Sequence, residues 1–494
     1  METVTLQTNL TGLSENYAAL VGSTLSTGDL RRIFNFGPMV TELAPQVDPY
    51  FRIMSLFRRK PTDDPEFKFT EKRASWNKRY AYVVNHGTTS AITADGTDAT
   101  LTAASVAAGC TYYFNMQCDY KHDGLIGNVY GQSTNAITIG DSGTGPRFFI
   151  PGQIIKVNTG SAFNVMTDYM LARVDEVTET DTYAILKTTI TKAPGSSALE
   201  LQWYSATAPM PSNATLYSVA TANAKTDLES KRAYVVGTAF SRGSGYPDTR
   251  IDNPFSTGYG MTEIFKNTFQ IDKTTKATVL KYEPDEFARM WKQTLLDHKW
   301  DIETALLFSH QYHNTVDDTY HTQGIIDYVL TYGNIFTYSS TMTADDFLDN
   351  MSEFMDVRRG NSKVTLFMTD KPTYNWLNKL SGYNANNIQI APNYKTDFSW
   401  AGRGSIGGVA VNKISTAWGD INFTYNPHLD GSPVRIVAVN TNHVKVRPLI
   451  GNGENRDTSV ETNVQEPGVD KRVDLILTEL GQECAMPETH AVWK

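Results

Sequence analysis

Cysteine is scarce: the 494 residues contain three, Cys110, Cys118 and Cys484. The number is odd and no Cys-x-x-Cys pair occurs, so neither a disulfide framework nor a zinc ribbon is indicated, and a reducing compartment fits best. Long apolar runs are missing as well. No stretch reaches the ~18 residues of a membrane-spanning helix. The start, METVTLQTNLTGLSEN, has neither the basic residues nor the apolar block of a secretion signal. Basic charge is in deficit, with Lys and Arg at 44 against 53 Asp and Glu, a net charge of -9. The chain as a whole is therefore no electrostatic nucleic-acid binder. Gly-x-Ser-x-Gly and P-loop patterns are also absent.

What is present reads as globular: 40% hydrophobic and 11% aromatic residues, on a length that suits roughly two to four domains. Residues 1–62 read as an arm, small polar stretches with short apolar anchors such as Ile33, Phe36, Phe51 and Leu56, and too little core to stand alone. Phe67 and Phe69, then Tyr80 and Tyr82, alternate as in strands. Residues 130–222 hold short strand-like runs between Gly, Pro, Asp and Asn turns, including RFFIPGQIIKV, YMLARVDEV and TYAILKTTI, and predict a small barrel or sandwich. A connector, SRGSGYPDTRIDNPFSTGYG, leads to a returning strand, MTEIFKNTFQID.

A long helix is predicted over 284–312, opened by Pro284 and by Glu283, Asp285 and Glu286 at its positive end. At ~1.5 Å per residue it would run about 40 Å. Phe287, Trp291, Leu295, Ile302, Ala305 and Leu306 form one broad stripe, and Leu296, Trp300 and Leu307 a second, opposite one. Two stripes predict a helix packed from both sides. Beyond it the pattern is α+β. TADDFLDNMSEFMDVR is an amphipathic helix capped by Thr343, KVTLFMT is a buried strand, and 387–450 reads as strands joined by Gly/Asn turns.

Candidate chemistry is thin. GRGSIGG, 402–408, contains Gly-x-Gly-x-x-Gly, but a strand pattern rather than a helix follows, so a glycine-rich turn is the better reading. His310, His313, Asp317 and His321 offer metal-type ligands without a His-Glu-x-x-His spacing, and a polar helix end accounts for them equally well. His298 falls within the apolar stripe and reads as a hydrogen-bonded core histidine. The carboxylate pairs Asp317/Asp318 and Asp345/Asp346 read as turn and cap residues. No catalytic residue, cofactor or metal is assigned. The strongest charge feature is basic: Arg58, Arg59, Lys60, Lys68, Lys72, Arg73, Lys78 and Arg79, interleaved with Phe67, Phe69, Trp76 and Tyr80. That mixture suits nucleic acid. Asp63, Asp64, Glu66 and Glu71 intervene, however, and favour a charged edge that docks on an acidic neighbouring subunit.

The order of parts says more than any motif. FRIMSLFRRKPTDDPEFKF, FFIPGQIIKV, GYGMTEIFKNTFQI, DEFARMWKQTLLDHKWDIETALLF, TQGIIDYV and LTELGQECAMPETHAVW follow one another as arm, insertion, return strand, spine helix, following segment and terminal strand. This order resembles the HK97-like major capsid proteins of tailed bacteriophages, in a subgroup with a small β-domain inside the extended loop. The resemblance implies an arm at 1–62, an extended loop at 63–129 and 223–280 around an insertion at 130–222, and a peripheral domain at 281–380 and 436–494 with an axial domain at 381–435. It implies self-assembly into hexamers and pentamers forming an icosahedral head around packaged DNA, built in the host cytoplasm. Portal, scaffolding and decoration proteins would be further partners, with DNA contacted only non-specifically and no membrane involved. Two other readings stay open: another phage structural protein of the tail or decoration type, and a polysaccharide-acting enzyme using the β-rich block.

Overall fold

The computed structural model describes residues 48–73, 79–90, 106–118, 138–140, 144–158, 169–194, 213–215, 232–249, 255–279, 286–339, 341–355, 365–387, 399–406, 409–415 and 420–494. The described chain enters through α1 (Pro49–Phe57) and β1 (Glu66–Glu71). Between them, residues 58–62 lie against a strand from the far end of the chain, with Lys60 N–H donating to the Val446 carbonyl and Thr62 N–H to that of Pro448.

Six strands follow: β2 (Tyr80–Gly87), β3 (Thr111–Gln117), β4 (Gln153–Asn158), β5 (Tyr169–Glu179), β6 (Ala184–Lys192) and β7 (Arg232–Thr238). They close in the order β2-β3-β6-β5-β4-β7. The cause is period-two patterning: Val83, Phe114, Met116, Val157, Met170, Ala172, Val174 and Leu186 all face inward and are buried together. Closure removes the free edges that such strands would otherwise expose. The barrel's limits correct the expected ones. Half of its strands, β2, β3 and β7, come from outside 130–222, because the middle strands alone supply only one wall.

The chain leaves the barrel through β8 (Ser256–Asp272), 17 residues long. Its first six pair with β1, and Thr262 to Asp272 pair antiparallel with β19 (Lys471–Cys484). Next come α2 (Glu286–Phe308), a hairpin of β9 (Tyr312–Asn314) and β10 (Thr319–His321), and α3 (Ile325–Tyr332). The remaining elements are β11 (Asn334–Phe336), α4 (Ala344–Phe354), β12 (Thr365–Thr369), α5 (Lys371–Asn387), β13 (Ser399–Ile406), β14 (Val409–Ser415), β15 (Asp420–Tyr425), β16 (Ile436–Asn440), β17 (Val444–Pro448), β18 (Ser459–Glu461) and the closing β20 (Ala491–Trp493). One sheet runs β1-β8-β19-β17 with β18 on β19; another runs β11-β20-β16-β12-β15-β14-β13.

The second sheet revises another expected boundary. β12 lies between β15 and β16, and β20 between β11 and β16. The strands of 381–435, β13 to β15, therefore share one hydrogen-bonded layer with strands on both sides of that segment. Its core holds Trp493, stacked on Phe336 at 4.8 Å and bounded by Phe347, Phe354 and Phe367. Residues 402–406 of the glycine-rich stretch lie in β13, whose Ile406 pairs with Val409 of β14. The first two glycines of the Gly-x-Gly-x-x-Gly match thus sit in a strand, and Gly407 lies outside the described residues. Thr343 and Asp346 form a reciprocal cap at the start of α4.

α2 is buried along one side, toward its C-terminal half. His298, Ile302, Glu303, Leu306 and Leu307 are enclosed, while Phe287, Trp291 and Leu295 are only half-covered. Trp300 is 47% exposed, and its indole meets the His428 ring edge-on at 4.8 Å. The second stripe read from the sequence is covered only in part within one chain: Leu307 is enclosed and Leu296 half-buried, while Trp300 is exposed. The sheet of β8 and β19 lies on one flank of the helix, α1 and α3 pack against its C-terminal half, and Trp300 stays open at the edge of the groove beside β8. His298 bridges that sheet, with Nδ1 2.6 Å from Asn267 Oδ1 and Nε2 2.8 Å from Thr478 Oγ1, as its place in the stripe suggested.

Candidate assembly surface

Where the arm meets the body, a single carboxylate does the joining. α1 begins with Pro49, which has no N–H, and the Asp48 side chain makes no cap bond. The next two amides are taken by Glu303 of α2: Tyr50 N–H donates at 3.1 Å and Phe51 N–H at 2.7 Å. Asn426 Nδ2 donates a third bond at 2.9 Å. Burial pushes the Glu303 carboxyl up to about 7 despite these donors. A helix that cannot cap itself is thereby tied to α2.

The second joint lies at the end of β1. Arg73 Nε donates to Glu488 Oε1 at 2.6 Å and Nη2 to Glu488 Oε2 at 3.1 Å, while Nη2 also reaches Glu71 at 2.8 Å and Nη1 reaches Ser256 at 2.8 Å. Glu71 in turn accepts from the N–H of Met486, a residue held in the left-handed region at φ 54° just before Pro487. This side-chain cluster closes the chain's C-terminal turn onto its entrance. The sequence reading missed it, because no local pattern pairs residues so far apart.

The basic run is therefore not one surface. Arg73 is buried in the joint just described, which corrects its assignment to a subunit interface. Arg58 donates to Asn442 and Arg59 pairs with Asp457, so both serve their own chain. Lys60, Lys68, Lys72 and Arg79 are exposed, with Lys72 lying 5.1 Å from the Phe255 ring centre. Lys78 lies outside the described residues. The histidines near the end of α2 are dispersed too: His310 pairs with Asp327 at 2.7 Å and His313 with Asp318 at 3.0 Å. Both sit beyond Phe308, on the loop and hairpin after the helix.

Exposed apolar side chains mark the other feature of this surface. Ile264, Trp300 and Phe308 edge a shallow groove between β8 and α2. Tyr246 and Phe255 stand open ahead of β8, and Tyr259 on it. Apolar groups left bare at this density signal a contact face.

Residues 153–494 match the SU10 major capsid protein family. The chain belongs to the SU10 major capsid protein family. Its function is that of a phage-head major capsid protein, its place the capsid shell of the virion, and the tail, decoration and enzyme readings fall. None of the curated proteins matches it in sequence. Among solved structures, a Microbacterium phage Oxtober96 chain is similar at 12% identity and TM-score 0.34, covering 52% of this chain and 80% of that one. The bacteriophage PhiM1 mature capsid is similar at 12% identity and TM-score 0.33, covering 53% and 78%. The holo-SrpI encapsulin complex of Synechococcus elongatus PCC 7942 gives 10%, 0.32, 49% and 77%.

Proposed function

We propose that copies of this chain associate into hexamers and pentamers that tile an icosahedral head around packaged DNA. In HK97-like terms, 48–62 belongs to the arm, β1 and β8 to the extended loop with the barrel inserted between them, α2 is the spine helix, and the β11–β13 sheet carries the axial part. The observation that carries this reading is the exposed apolar face of β8 and α2, which a lone subunit has no reason to keep bare. Exposed Lys60, Lys68, Lys72 and Arg79 would then direct docking more than they stabilise the fold. A scaffolding protein, a portal and a decoration protein are the further partners this reading expects, and packaged DNA would be touched without sequence preference. Sedimentation with negative-stain imaging of the purified chain, alone and co-expressed with a scaffold, is the test. Capsomers or closed shells are expected. A monodisperse monomer under every condition refutes the reading.

A further inference from the structure

Two faces of this chain carry charge that is mostly without an ion-pair partner among the described residues, and the charges are opposite. The first is the outer wall of the barrel. Lys156 on β4 faces Leu171 on β5, and Leu171 faces Lys192 on β6, so these three side chains form one row across the sheet. The Lys156 ammonium lies 4.3 Å and the Lys192 ammonium 3.2 Å from the centre of the same ring, that of Tyr169. Neither lysine has a carboxylate partner among the described residues. Arg173, next along β5, is held only loosely by Asp175 at 4.0 Å. Two ammonium groups sharing one ring repel each other, and an anion between them would relieve the repulsion.

The second face is where the β9–β10 hairpin lies beside the start of β1. Asp63, Asp64, Glu66, Asp317 and Asp318 are all exposed, and none forms an ion pair with a Lys or Arg among the described residues; the nearest basic partner is His313, on Asp318. Lys60 and Lys68 flank the patch without pairing to it. Thr322 N–H, just past the hairpin, donates to Glu263 at 3.0 Å, and Thr262 N–H donates to the Pro65 carbonyl at 2.9 Å, which sets the hairpin next to Asp64 and Glu66. His313 stacks on Tyr320 at 4.1 Å, and desolvation with the fields of Asp318 and Glu66 raises the Tyr320 phenol above its ordinary value. Val316 and Tyr312 stand exposed beside it. The patch thus has an apolar centre and an acidic rim, the counterpart of Leu171 and Tyr169 between lysines.

We propose that the basic barrel wall, Lys156, Lys192 and Arg173 around Tyr169, docks in trans on the acidic hairpin patch, Asp64, Glu66 and Asp318 around Tyr320, of a second copy. The two patches are different surfaces of one chain, so the contact is head-to-tail, and head-to-tail contacts close into rings when the rotation allows. A second copy is favoured over DNA because the complement is present at equal number in every subunit and matches in apolar as well as charged groups. The inference rests on the assembly reading above and adds to it a named contact.

The test uses the full chain in three charge-reversed forms: Lys156→Glu with Lys192→Glu, Asp64→Lys with Glu66→Lys, and all four together. Each two-site form should weaken self-association roughly tenfold or more at low salt, with less difference at high salt. The four-site form should recover most of the loss. If a reversed form melts early, Lys156→Gln with Lys192→Gln, which removes the charges without reversing them, replaces it and should weaken association by a smaller factor. Two-site forms that associate like the parent overturn the proposal, as does a folded four-site form without recovery. So does loss of DNA retention in filter binding with association unchanged, which would give the wall to nucleic acid. A parent chain that never self-associates would instead overturn the assembly reading.

Discussion

Arg73 and Glu488 lie 415 positions apart in the chain and meet in a two-bond pair at 2.6 and 3.1 Å. Both side chains are buried, so neither charge has water to fall back on. Removing one partner leaves the other uncompensated, and such losses run at about 3–5 kcal/mol. We expect Arg73→Ala to lower the unfolding free energy by that order, while Lys68→Glu, exposed on β1, leaves it within experimental scatter. Equal effects from the two would show that the joint does not bear on stability.

Glu303 predicts a more local result. Glu303→Ala frees the amides of Tyr50 and Phe51 and orphans the Asn426 amide, three donors at once. The combined loss should be on the order of 2–4 kcal/mol. Hydrogen exchange should locate it, with the 49–57 amides exchanging far faster in the variant while barrel amides keep their protection. Unchanged protection of α1 would mean that its packing, and not the carboxylate, holds it.

His490 sets a pH dependence. It is fully enclosed, its Nδ1 accepts from Asn440 N–H at 3.2 Å and its Nε2 lies 3.1 Å from the Ala485 carbonyl. Burial, opposed by the Ala485 bond and aided by His443, pushes it down to about 3 from 6.5. A folded value below the unfolded one means that the stability is present above about pH 6.5 and is lost as pH falls from there toward 3. His443, also lowered chiefly by burial, acts in the same direction. His490→Gln should flatten the fall in unfolding free energy between pH 7 and 5, relative to the parent. A slope identical in both proteins would assign the acid sensitivity to other groups.

Trp300 separates folding from association. At 47% exposure its truncation removes little buried surface, so Trp300→Ala should cost no more than about 1 kcal/mol, against about 2–5 for Leu306→Ala on the enclosed side. If the groove is a contact face, the same Trp300→Ala should reduce capsomer yield although the monomer melts normally. A loss of stability matching that of Leu306→Ala would return Trp300 to the core.

The spine helix, the Thr343 cap and the barrel strands were legible because each is written in local periodicity: 3.6 for α2 and α4, two for β4 to β6. The core histidine His298 was legible for the same reason. What was hidden is everything set by distant pairing. Trp493 reads as a terminal residue and turns out to fill the core of a seven-stranded sheet. Glu303 and Arg73 look like surface charges on a helix and a basic run, and both are enclosed by partners hundreds of positions away. Trp300 failed in the opposite direction: hydrophobic pattern reports which residues seek burial, and in a shell protein the burying surface can belong to another copy.

The barrel's boundaries carry the last prediction. The segment 130–222 contains β4, β5 and β6 but not β2, β3 or β7, and β4 pairs with β7 while β6 pairs with β3. Cutting at 130 and 222 therefore strips a partner from β4 and from β6 and exposes Ile155, Val157, Leu186 and Ile190 from the shared core. Open edges beside bare apolar faces favour aggregation over folding. A fragment of residues 79–240 should give a single cooperative β-type melt, and 130–222 alone should not. In the full chain, a short Gly/Ser linker joining 78 to 241 should leave α2 and its sheets folded, since β1 and β8 already pair with each other below the barrel. The same linker placed across 130–222 should yield insoluble protein. A soluble, cooperatively melting 130–222 fragment would mean that β2, β3 and β7 only decorate a barrel that closes without them.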